Sequence, residues 1–84
     1  MDSGKWQQMT VGQKVRYQRT KLNMSQSELQ EKSGVDKGMI SKIENGKKPI
    51  GLLVATRLAA VLKIKTDSLY KIKPRTERKG QHNA

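Results

Sequence analysis

Five stretches of the chain read as helices, from apolar residues at helical spacing or from start and stop signals, and a residue suited to capping a helix stands ahead of most of them. Thr10 and Gln13 form a T-x-x-Q capping box, and Val11, Val15 and Leu22 then share one face, with Gln18 on the same spacing. This first helix runs to about Asn23, a residue that tolerates the left-handed conformation of a C-cap. Ser25 and Glu28 repeat the box, with Met24 and Leu29 at the spacing of a hydrophobic staple. Gly34 ends that second helix, because it can take a positive φ and turn the chain. Asp36 then caps a third helix with Val35 and Ile40 as its staple, and Leu29, Val35, Ile40 and Ile43 point inward. Asn45-Gly46 closes the third helix, and Pro49-Ile50-Gly51 breaks the chain before the most apolar stretch, Leu52 to Leu62. There Leu52, Ala55, Ala59 and Leu62 share a face that Val54, Leu58 and Val61 widen, as a core helix requires. Thr66 or Asp67 caps a short fifth helix with Ile64, Leu69, Tyr70 and Ile72 as its apolar members. The pattern predicts an all-α, compact five-helix domain.

That domain occupies residues 10–72. Residues 1–9 form a polar lead whose one large apolar side chain, Trp6, rests on the domain surface or meets a partner chain, while Lys5 would let the lead touch a polyanion. Residues 73–84 are charged, contain Pro and Gly and lack apolar periodicity, which reads as a disordered basic tail. Its lone His82 has no second ligand-type neighbour, so no metal site and no cofactor is expected. An 84-residue chain buries only about 60% of the surface its unfolded form exposes. Without phenylalanine the thin core falls to aliphatic residues and methionine, and dimerisation would add to it.

Charge changes the picture most. Eighteen Lys and Arg stand against seven Asp and Glu, a net charge of +11. Residues 71–84 carry five basic residues and one acidic residue, or +4, so +7 belongs to the folded part. A basic balance of this size in the domain itself fits a polyanionic partner. The chain has no cysteine, which excludes disulfides and thiolate chemistry, and no apolar run approaches the ~20 residues of a membrane span. The lead lacks a secretory apolar region, so a cytoplasmic location is expected. No phosphate-binding glycine loop, nucleophile motif or carboxylate pair is present, and the acidic residues are scattered; enzymatic activity is not expected.

The third helix carries the candidate chemistry. Its outer face holds Lys37, Gly38, Ser41 and Lys42, small or basic, while Ile40 and Ile43 face in. Helix, glycine turn, and helix with a basic outer face is the pattern of a helix-turn-helix that sets its second helix in the DNA major groove. The ordered set Ser25-Gln26-x-x-Leu29, Gly34-Val35, Ile40-Ser41-x-Ile43-Glu44 and Asn45-Gly46-Lys47 resembles the XRE family of phage repressors, Cro proteins and small bacterial regulators, over about Val11 to Tyr70.

The resemblance implies a lambda-repressor-like fold and a site. Base contacts would come from Lys37, Gly38, Met39, Ser41 and Lys42. Phosphate contacts would come from Gln26, Lys47 and Lys48, with Arg16, Lys21 and Lys14 on the first helix, helped by backbone N–H groups at the starts of the second and third helices. Arg19 would pair with Glu44 and tie the first helix to the end of the third. Leu69, Tyr70 and Ile72 would carry a dimer contact, unless they close the core of the monomer. Two positions depart from the family. Gly38 replaces a side-chain reader, and Gln30 stands where alanine is usual, so its long side chain must fold outward or find a partner. The implied function is a sequence-specific transcriptional regulator, a dimeric repressor or autoregulator that reads double-stranded DNA with residues 37–45. The rival is a protein-interaction module of the same fold, an antitoxin or a transcriptional bridging factor, with a toxin or the transcription machinery as partner.

Overall fold

The computed structural model describes Trp6 and residues 8–70. Ile72, Lys5, His82 and the tail from residue 73, all discussed above, lie outside the described residues. Among the described residues four helices follow one another: α1 (Val11–Lys21), α2 (Gln26–Ser33), α3 (Lys37–Glu44) and α4 (Leu52–Leu62). Trp6 and Gln8 have helical backbone as well, and no strand occurs among the described residues. No helix of the described residues is long and apolar enough to cross a membrane.

Each boundary has a local cause. Thr10 and Gln13 make the complete reciprocal box at the start of α1. Ser25 accepts the Glu28 N–H at 3.0 Å to start α2. Asn23 takes φ 58° beyond α1, where the Asn23 and Met24 N–H groups reach back to the Thr20 and Arg19 carbonyls at 3.0 Å each. Gly46 takes φ 73° beyond α3, and the Gly46 and Lys47 N–H groups close on the Ile43 and Lys42 carbonyls in the same way. Gly34, with φ 79°, provides the sharp turn between α2 and α3.

The core is aliphatic throughout: Val15, Leu29, Val35, Ile40, Ile43, Ala55, Leu58, Ala59, Leu62 and Leu69 are buried, with Val11, Leu22, Met24 and Ile50 among those packed on them. Two expectations need correction. The fifth helix is only a single 3-10 turn, Thr66–Ser68, and neither Thr66 nor Asp67 caps it through its side chain. Three residues cannot repay helix nucleation, and the turn serves to seat Leu69 at 1% exposure. Leu52 is 48% exposed, although it shares a wheel position with Ala59. As the first residue of α4 it lies about two turns along the axis from Ala59, so its position along the helix, and not its azimuth, leaves it without cover.

Candidate nucleic-acid interface

α3 is held by its inner face and by both ends. Ile40 and Ile43 are 0% and 2% exposed. At the start, the Asp36 carboxylate accepts the N–H groups of Gly38 at 2.8 Å and Met39 at 3.3 Å. The Lys37 N–H donates to Gln30 Oε1 at 2.7 Å. This gives the unusual Gln30 its partner: from α2 it closes the start of α3, a tertiary cap in place of the small residue at the crossing. It also corrects one expectation. All three first-turn N–H groups of α3 are satisfied within the protein, so they are not open to a phosphate. At the start of α2 Ser25 takes only the Glu28 N–H, and those of Gln26 and Ser27 have no acceptor among the described residues.

At the far end, Arg19 makes a two-pronged pair with Glu44, Nε to Oε2 at 2.8 Å and Nη2 to Oε1 at 3.0 Å. The two side chains are only 11% and 3% exposed. Arg19 Nη1 donates to the Met24 carbonyl at 2.8 Å, and Gln26 Nε2 donates to Glu44 Oε1 at 3.0 Å. One carboxylate therefore joins α1, the start of α2 and the end of α3. Beside it, Gly12 is buried so closely under α3 that an added Cβ would meet the carbonyl oxygens of Ile43 and Glu44, the latter at 2.8 Å. Gly12 escaped the apolar pattern; the signal that could have found it is a glycine inside a helical run, which marks close backbone approach.

The outer face then holds Lys37, Gly38 and Lys42 exposed, with Met39 and Ser41 half-buried at its edges. A Cβ on Gly38 would stand 2.9 Å from the Asp36 oxygen that caps its own helix, so glycine suits the cap as well as the open face. Lys47 and Lys48 are exposed in the loop directly after α3. The start of α4 follows at Gly51, which provides no side-chain cap.

The basic residues of α1 divide between two faces. Arg16 is exposed and lies about 40° around the helix from Gly12, on the side that packs against α3. Lys14 and Lys21 lie about 160° and 180° from Gly12, on the far side. There Lys14 Nζ donates to the Ser68 carbonyl at 3.3 Å and sits 5.3 Å from the centre of the Trp6 ring, while Lys21 Nζ sits 5.8 Å from that of Tyr17. The structure thus separates these two lysines from α3, against the expectation that they join its phosphate contacts. Gln26 is also partly committed, since one of its two amide protons goes to Glu44. At the C-terminal end, Leu69 closes the core of the monomer and offers no surface for a dimer contact; Tyr70 is half-buried.

Comparison with known proteins agrees with this geometry. Residues 15–69 match the helix-turn-helix family. The crystal structure of the restriction-modification controller protein C.AhdI from Aeromonas hydrophila superposes with a TM-score of 0.67 at 32% identity, covering 71% of this chain and 91% of that one. A complex of the SinR and SinI proteins gives a TM-score of 0.69 at 26% identity, covering 87% of this chain and 80% of that one. No curated protein sequence is significantly similar.

Proposed function

Since the chain belongs to the helix-turn-helix family of DNA-binding transcriptional regulators, we propose that α3 reads base edges in the major groove, and that the protein acts as a cytoplasmic dimeric repressor of its own transcription. The observation that carries this reading is the division of α3. Ile40 and Ile43 are wholly buried and the first-turn N–H groups are satisfied internally, so the exposed Lys37, Gly38 and Lys42 are held on a rigid element. Lysine ammonium groups suit the guanine O6 and N7 acceptors, and a good base contact discriminates by about 1–3 kcal/mol. Gly38 permits close approach of the backbone, with Met39 and Ser41 at the rim. With two lysines and few amide readers, DNA shape carries part of the specificity.

Phosphates would be held by Lys47 and Lys48, by Arg16, by the free N–H groups of Gln26 and Ser27, and by the second amide proton of Gln26. Tyr70 and Ile72 are the remaining candidates for a twofold contact. Such a dimer places two α3 helices about 34 Å apart, on an inverted repeat. No cofactor is needed for this chemistry. A protein partner is the second reading, supported by the SinR structure, which is that of a complex with SinI.

A footprint of the purified full chain on the DNA upstream of its own coding sequence, at near-physiological salt, tests the proposal. Protection of an inverted repeat with half-sites one helical turn apart is expected. Uniform binding, or none, would favour the interaction-module reading, and a co-purifying protein would then be sought.

A further inference from the structure

The side of the molecule away from α3 carries a second surface that DNA reading does not use. Trp6 packs edge-on against Tyr17, with ring centres 6.2 Å apart and planes at 60°. Two cavities, of about 350 and 370 Å³, have the Trp6 side chain in their walls. Their walls combine apolar surface from Val11, Tyr17 and Ile64 with Lys14, Lys21 and Lys65, against a single acidic residue, Asp67. Tyr17 is 38% exposed, and Lys65 is exposed as well.

We propose that this Trp6–Tyr17 groove is a docking site for an acidic amphipathic helix of a partner protein. Apolar side chains one turn apart on such a helix would enter the two cavities beside Trp6, and its carboxylates would meet Lys21 and Lys65. Charge selects this occupant. A second copy would bring three lysines against three lysines. Residues 71–84, the segment that continues from Tyr70, carry a net +4 and would be repelled in the same way. Duplex DNA fits poorly, because the acidic Asp67 and the apolar Trp6, Val11 and Ile64 stand among the lysines of these walls. Because Lys14 and Lys21 stand about 160–180° around α1 from the residue that touches α3, the groove remains open when α3 is engaged. The inference therefore stands or falls separately from base reading by α3, while a twofold contact through Tyr70, which lines the second cavity, would compete with it.

Trp6 is the only tryptophan of the chain, so its emission reports on the groove directly. The full chain is titrated with a synthetic sixteen-residue helix lacking tryptophan, glutamate on one face and leucine and phenylalanine on the other. A saturable shift of Trp6 emission is expected. It should weaken about tenfold or more when every glutamate of the peptide is replaced by glutamine, and similarly for Lys65→Glu, because rim charges govern such encounters. The peptide-side change leaves the protein untouched, so it holds even if Lys65→Glu fails to fold. An unmoved emission would overturn the proposal. So would an equal response to the glutamine peptide, a shift driven by protein concentration alone, or tighter saturation of the same signal by a single-stranded oligonucleotide.

Discussion

Glu44 receives three hydrogen bonds, two from Arg19 and one from Gln26, and has almost no exposure to water. Removing its charge strands the Arg19 guanidinium in a poorly solvated place. Breaking one side of a buried pair costs about 3–5 kcal/mol, far above the 0–1 kcal/mol of an exposed pair. Glu44→Gln should therefore lower the melting temperature by more than about ten degrees, as a loss of that size does in a domain of this length. An unchanged melting curve would mean that the pair contributes nothing. Gly12→Ala should cost about 1–3 kcal/mol, since the new methyl group meets backbone carbonyls of α3 that cannot rotate away. Urea denaturation with an unchanged m-value checks it. The two residues differ in legibility. Arg19 and Glu44 are far apart in the chain, and only a family resemblance joins them. Gly12 is defined by what lies across from it, and no apolar period records a close approach between helices.

Elements were most legible where their causes are local. Thr10, Ser25, Asp36, Gly34 and Gly46 act within a few residues of where they stand, and they set the bounds of α1, α2 and α3. The cap that Gln30 makes on α3 is seven residues away and depends on the crossing of two helices, so the sequence shows only that the side chain needs a partner. The end of the domain was least legible. Ile64, Leu69 and Tyr70 are apolar members of the expected fifth helix, yet the backbone makes one 3-10 turn, because burying Leu69 and not local propensity decides its course. The same contrast ranks two substitutions. Asp36→Ala removes the acceptor of two N–H groups and should cost about 0.5–2 kcal/mol. Gln30→Ala frees only the exposed Lys37 N–H, which water can satisfy, so its cost should be the smaller of the two. Thermal melts of both variants against the parent give the order directly.

At the scale of the molecule, composition reports how much positive charge there is and not where it lies. Lys47, Lys48 and Arg16 stand with α3, whereas Lys14 and Lys21 stand with Trp6 and Tyr17 on the opposite side of α1. The sum over the folded part is therefore shared between two surfaces. A dimer that neutralises six to ten phosphates should show log affinity falling with log salt at a slope between about −5 and −9. Lys48→Ala should reduce that slope by about one for each protomer bound, and Lys21→Ala should leave it almost unchanged. Binding isotherms at four or five salt concentrations separate the two.

We assign DNA reading to the outer face of α3. Fluorescence anisotropy of the Lys37→Ala and Lys42→Ala proteins, on the protected operator and on an unrelated duplex of equal length, addresses it most directly. Each substitution should weaken operator binding by about 1–3 kcal/mol and leave the unrelated duplex much less affected, because a base contact discriminates while a phosphate contact does not. Equal affinities of the parent and both variants for the operator would contradict the claim and remove α3 from the groove.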